Sequence, residues 1–180
     1  MARKVILPIN ELYECEKLIF LAGPIIGAPF WQDSAIDIIQ GLDSEINIAC
    51  PTPHENVNKR HWKDNPLEVR DFVRYANDWP EVEWQERYIN QAREGGCLLF
   101  WLPRQEDFDT DYNYARTTRS EIAEQLYLPG NLVVGNDHAF QGADYIRYKL
   151  RKHRPETVIC DTLEQTCREA VRLARKGEIN

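Results

Sequence analysis

Cys97-Leu98-Leu99-Phe100-Trp101-Leu102-Pro103 is apolar from its first residue to its last, and Gly95-Gly96 stands immediately before it. A strand that alternates apolar and polar residues buries one face, whereas a run with no polar residue buries both, as a central strand of a parallel sheet does. Pro103 ends the run, because proline has no N–H to give to the ladder. Toward the N-terminus, Lys17-Leu18-Ile19-Phe20-Leu21-Ala22 is a second such run, halted by Gly23-Pro24. Shorter runs extend from Ile46 to Cys50, from Asn131 to Gly135 and from Thr157 to Cys160.

Between these runs the apolar period lengthens to that of a helix. Ile36, Ile39 and Leu42 recur with polar residues between them from Trp31 onward, stopping beside Gly41. Asp78-Trp79-Pro80-Glu81 reads as a helix start capped by Asp78, and that helix continues to Glu94. Further helices are expected over 118–128, closed by Pro129-Gly130, and near 140–152. A last one, 161–177, is opened by Asp161 with Glu164 three residues on, in a capping-box arrangement. Strands alternating with helices predict an α/β domain whose five-stranded parallel sheet has helices on both faces. Right-handed crossovers favour the strand order 2-1-3-4-5. One domain spans 1–180, with its core over 17–160. Ligands of such sheets sit beyond the carboxyl ends of the strands at the switch point, which would gather Gly23, Pro24, Pro103 and the start of helix 118–128 around one crevice.

The segment 51–80 breaks the rhythm, with Pro51, Pro53, Pro66 and Pro80 among charges and the aromatics His61, Trp62, Phe72, Tyr75 and Trp79. A connection of this length in a compact domain is usually functional, and we read it as a lid or a subunit contact. At 180 residues and 43% hydrophobic, the chain has material for one sizeable core and hence one site. A formal net charge of −7 argues against binding duplex DNA or long RNA and in favour of small ligands. The five cysteines read as reduced thiols. No Cys/His set has metal-ligand spacing, so no metal is expected. The N-terminal apolar stretch is too short for a signal peptide and no run approaches membrane-spanning length, so a cytoplasmic protein without membrane contact is expected.

Two carboxylates carry the chemical reading. Glu121, expected in the first turn of helix 118–128, would be held ionised by the helix N-terminus, although an acidic residue there also serves simply to complement the helix dipole. Glu86 lies four residues after Val82 and three before Ile89, on the face expected to turn inward, with Glu83 as the alternative acid and a surface pair with Arg87 as the plain reading. Two carboxylates beside a sugar ring suit glycosyl transfer with retention, one attacking the anomeric carbon while the other protonates the leaving group. Trp31, Trp84 and Trp101 offer surfaces on which a base could stack; Trp31 is the better placed, since Trp101 on a central strand reads as core. Gly23-Pro24-Ile25-Ile26-Gly27 could cradle phosphate, but it matches neither the dinucleotide nor the Walker pattern and Pro24 removes a donor, which weighs against hydride transfer and nucleoside triphosphate hydrolysis.

Taken together, Ile19-Phe20-Leu21-Ala22-Gly23-Pro24-Ile25, Phe30-Trp31-Gln32, Val82-Glu83-Trp84-Gln85-Glu86, Leu99-Phe100-Trp101-Leu102-Pro103 and Arg119-Ser120-Glu121-Ile122-Ala123 resemble the nucleoside 2-deoxyribosyltransferase family over roughly residues 17–135. The resemblance implies a flavodoxin-like fold, Glu121 as the nucleophile that forms a 2-deoxyribosyl ester, Glu86 as the acid, exchange of one nucleobase for another, and no cofactor. It also implies contacts of the substrate with Gly23, Pro24, Trp31, Trp84, Pro103 and Ser120, and a homo-oligomer with sites near subunit contacts. Phe20 stands where several members carry Tyr, so a hydroxyl orienting Glu121 would come from Ser120 or Tyr112. Two other readings fit the same residues: hydrolysis of nucleoside 5′-monophosphates with Arg116, Arg119 or the Gly23 turn holding phosphate, and a non-catalytic nucleotide-binding module.

Overall fold

The computed structural model describes residues 5–8, 14–51, 80–106, 108 and 114–176. Among them, six strands and five helices alternate: β1 (Val5–Ile6), β2 (Leu18–Ala22), α1 (Trp31–Leu42), β3 (Asn47–Ala49), α2 (Pro80–Gly95), β4 (Cys97–Leu102), α3 (Arg116–Gln125), β5 (Leu132–Asn136), α4 (Ala143–His153), β6 (Val158–Cys160) and α5 (Leu163–Lys176). All pairings are parallel, in the order β1-β3-β2-β4-β5-β6. The all-apolar runs fill the middle: Ile19 to Ala22 pair with Cys97 to Phe100, and Leu98 to Leu102 pair with Leu132 to Asn136.

The sheet differs from the expected one in strand number and full order. Its sixth strand, β1, lies on the outer edge of β3, with Val5 opposite Ile48 and Ile6 opposite Ala49. Two residues carry no period to read. Their strand exists because the open edge of β3 presents unpaired backbone groups, one of which, the Cys50 N–H, reaches Ile6 O at 2.9 Å. Apart from β1, the neighbours run as expected for order 2-1-3-4-5.

Both faces of the sheet are covered. On one, α1 and α5 pack Trp31, Ile36, Ile39, Cys167, Ala170 and Val171 over Ile19, Leu21, Leu99, Trp101 and Val133. On the other, Trp84, Tyr88 and Ala92 of α2, Ile122 of α3, and Ile146 and Leu150 of α4 cover Leu18, Phe20, Leu98, Phe100 and Val134. Each fully buried Leu or Ile in these layers contributes about 1.5–3 kcal/mol as an upper estimate. All five cysteines are free, and burial pushes the Cys97 thiol far above its usual range.

Local chemistry moves several element ends. Helix α5 starts at Leu163, and its capping box is Thr162 with Gln165, one residue beyond the expected Asp161 and Glu164. The Gln165 N–H donates to Thr162 Oγ1 at 3.2 Å and Gln165 Oε1 accepts from the Asp161 N–H at 3.3 Å. Helix α3 runs two residues earlier at its start and stops at Gln125, short of the expected 128. Its end is held by Arg154, a buried side chain on the C-cap of α4. Arg154 Nη1 donates to Gln125 O at 2.7 Å and Nη2 to Gly130 O. The expected cap Asp78 and nearly all of segment 51–80 lie outside the described residues. No helix among the described residues is long and apolar enough to cross a membrane.

Candidate functional site

Three loops converge beyond the carboxyl ends of β2, β4 and β5. The first leaves β2 at Gly23, where φ is +155° and a Cβ would stand 2.3 Å from Trp101 O and 2.8 Å from Trp31 Cζ2. Only a residue without a side chain lets β2 turn this close to β4. Trp31, the first residue of α1, locks the turn from behind: its Nε1–H donates to Pro24 O at 3.0 Å. The second loop, after β4, is tied to the first by the Glu106 N–H on Gly27 O at 2.8 Å. The third is joined to the end of β4 by the Asp137 N–H on Leu102 O at 2.9 Å. Gly23, Pro24, Trp31 and Pro103 are therefore gathered at one rim, at the point where the connections from β2 and β4 diverge.

A clamp at the start of α3 completes this rim. The Tyr114 hydroxyl donates to Pro103 O at 2.8 Å and lies 3.2 Å from Arg104 O, and burial raises its pKa well above the usual phenol range. The Tyr114 ring meets Phe140 at 6.0 Å, and Arg119 lies over the same Phe140 at 4.7 Å while its Nη2 donates to Gln141 O at 2.6 Å. Ala115, between Tyr114 and the helix, is the N-cap at φ +59°, a left-handed conformation that costs a non-glycine residue about 1–3 kcal/mol unless its surroundings hold it. Such strain concentrates at functional positions. Neither Tyr114 nor Ala115 stood out in the sequence, since no glycine flags the left-handed residue and Tyr114 is one of two tyrosines in a polar loop.

Glu121 rides on this helix. With α3 beginning at Arg116, it stands in the second turn, which corrects the expectation of a first-turn carboxylate. The free N–H groups of the helix start do not reach that far, so the dipole does not lower its pKa. The pKa is instead raised, first by burial and then by the like charge of Glu124 one turn on. The half-burial follows from position: Thr118, Ile122 and Gln125 form the buried stripe of α3, and Glu121 borders it.

The other expected site residues separate. The face of α2 that turns inward carries Trp84, Tyr88 and Ala92, leaving Glu83 and Glu86 exposed, which corrects the inward orientation expected for Glu86. Helix phase decides this, because residues at i, i+4 and i+8 share a face and Glu86 falls half a turn away from Trp84. Trp84 is buried against Phe20 at 6.0 Å and Tyr88 at 4.8 Å, and its indole N–H has no partner among the described residues. Trp31 is core as well, so its ring is not the open stacking surface expected of it; Trp101 is core as expected. Ser120 is exposed and its Oγ turns back to Arg116 O at 3.4 Å, so it does not orient Glu121. Tyr112, the alternative hydroxyl, lies outside the described residues. Arg119, a candidate for phosphate, is engaged by the clamp, whereas Arg116 is exposed.

Among the described residues no group of three His, Cys, Asp or Glu side chains is arranged to hold a metal ion. No protein-family model and no curated protein matches the chain.

Proposed function

We propose that the protein transfers 2-deoxyribose between nucleobases, with Glu121 as the nucleophile. The observation that carries this reading is Glu121 itself: a half-buried carboxyl with a raised pKa, on a helix whose N-terminal flank is tied by Tyr114 to the loop after β4. A carboxylate partly stripped of water is a stronger nucleophile once ionised than one fully solvated. In the first step a Glu121 oxygen bonds to the anomeric carbon, the N-glycosidic bond breaks, and the base leaves with the electron pair and a proton. In the second, a nitrogen of the incoming base attacks the same carbon, its proton passes to the acid that protonated the leaving base, and the ester bond breaks, which restores Glu121. Two inversions give net retention.

The proton for the leaving base comes in this reading from Glu86 or Glu83, both exposed on α2. Separate Glu86→Gln and Glu83→Gln variants assign the role by their loss of turnover. The deciding experiment is incubation with deoxyinosine or thymidine plus free adenine, followed by detection of deoxyadenosine and of a deoxyribosyl adduct on the peptide containing Glu121. Absence of transfer with every donor and acceptor pair would sink the reading. Contacts with nucleosides, action within the cytoplasm and assembly into a homo-oligomer belong to the same proposal.

A further inference from the structure

Residues Arg147 to Arg154 hold five Lys and Arg and no acid, in a chain of net charge −7. Two of the five are used inside the fold. Arg147 donates from Nε to Asn136 Oδ1 at 2.7 Å and from Nη2 to Cys160 O at 3.1 Å and to Asp161. Arg154 holds the end of α3, and its Nε donates to Glu156 at 3.1 Å. The remaining three, Lys149, Arg151 and Lys152, form no ion pair with the described residues. Part of the role of Arg151 and Lys152 is plain, since cations in a last helical turn complement the C-terminal dipole. That role accounts for their sign but not for their surroundings.

Those surroundings are aromatic and open. Ala143, Ile146 and Leu150 bury the inner side of α4, which turns Tyr148 outward with Tyr145 and Lys152 on one side of it and Arg151 on the other. Tyr145 is 68% exposed and Tyr148 57%. Lys152 Nζ stands 5.9 Å from the Tyr148 ring. At the same edge Tyr127, also 68% exposed, meets His153 edge-on at 5.3 Å, and Leu128 follows it. Burial lowers the pKa of His153, and the charges of Lys149 and Lys152 lower it further. Because α4 runs against the strands, its C-terminal turn lies at their amino ends, away from the crevice.

We propose that the outer face of α4, with Tyr127, docks an acidic segment of a partner protein, through Lys149, Arg151 and Lys152 on its carboxylates and the three tyrosines on its apolar side chains. Tyr and Arg dominate the energetics of protein interfaces, and an aromatic ridge flanked by cations that form no ion pair with the described residues has that composition. Charge favours a short acidic segment over a long polyanion. Three cations without an ion pair among the described residues can neutralise three carboxylates locally, whereas a nucleic acid or an anionic bilayer carries its charge past the patch and meets the net negative charge of the rest of the chain.

The test is fluorescence anisotropy with the full chain and a short labelled peptide rich in Asp and Glu with a central Trp. The expected result is saturable binding that weakens as salt rises and is absent for the same peptide with Gln and Asn in place of its acids. Reversal of charge in K149E/R151E/K152E should weaken binding by roughly tenfold or more, and Y145S/Y148S should weaken it with unchanged salt dependence. Tyr145, Tyr148, Arg151 and Lys152 are exposed and Lys149 is half-buried, and circular dichroism of each variant confirms that it folds. The proposal is overturned if the peptide does not bind, if the charge-reversed variant binds equally well, or if oligothymidylate or vesicles containing phosphatidylserine bind more tightly than the peptide. Self-association of the wild-type chain that the charge-reversed variant abolishes would also overturn it, by making the occupant a second copy. None of these outcomes depends on the role of Glu121.

Discussion

Gly23→Ala tests the geometry that makes the crevice. The new methyl would sit 2.3 Å from Trp101 O, about 1 Å inside ordinary contact, and 2.8 Å from Trp31 Cζ2. Neither neighbour yields easily, since one is the backbone of a central strand and the other an indole held by its hydrogen bond to Pro24 O. Overpacking of this kind costs about 1–3 kcal/mol. The positive φ adds about 1–3 kcal/mol for any residue with a side chain. The sum, about 2–6 kcal/mol, should lower the urea midpoint by roughly 1–3 M at a slope of about 2 kcal/mol/M. Urea unfolding followed by tryptophan fluorescence measures it. Gly41→Ala is the control: it lies within α1, a Cβ there meets nothing within 4 Å, and the change should stabilise by about 0.5–1 kcal/mol. If Gly23→Ala unfolds at the wild-type midpoint, the close approach of the Gly23 turn to Trp101 and Trp31 is wrong.

Other outcomes follow from the same structure. Glu121→Gln should reduce base exchange by roughly 10⁴-fold or more, read by chromatography of the product nucleoside. The same variant should be more stable than wild type at neutral pH: because the folded pKa of Glu121 is raised above 4.5, its ionisation opposes folding as pH rises through that folded value, and the advantage should vanish below pH 4.5. By the same sign, the acid limb of the pH–rate profile should fall above the ordinary carboxylate value, and a limb at or below 4.5 would contradict the burial of Glu121. Arg154→Met should cost about 2–5 kcal/mol in thermal or urea unfolding, because Gln125 O and Gly130 O lose charge-assisted donors inside the fold. Trp84→Phe removes a buried donor that has no partner among the described residues; the relief of that penalty offsets the cavity left by the smaller ring, so denaturation should show a change within about 1 kcal/mol.

The layer architecture was legible because each central strand is apolar on both faces and each helix has a single apolar stripe, patterns that survive without any knowledge of partners. Residues 97–102 and 18–22 announced the middle of the sheet, and the convergence of Gly23, Pro24 and Pro103 followed from topology alone. Other features depend on partners distant in sequence. Val5 and Ile6 become a strand only because β3 offers an edge. The orientation of Glu86 hung on helix phase, which shifts with the choice of the first residue. Trp31 looked open from its place at a helix start, yet the carbonyl of Pro24 and the Gly23 turn enclose it.

Glu121 shows the division most clearly. Its residue type, its neighbours Arg119-Ser120-Glu121-Ile122-Ala123 and its place after the central strand are written in the sequence, and they determined which carboxylate to consider. Its electrostatic state is not written there. The left-handed Ala115 and the Tyr114 hydroxyl on Pro103 O start α3 early, which moves Glu121 out of reach of the free N–H groups and to the border of a buried stripe. Burial, which depends on how α3 lies on the sheet, then outweighs the dipole and raises the pKa that sequence position alone would have lowered.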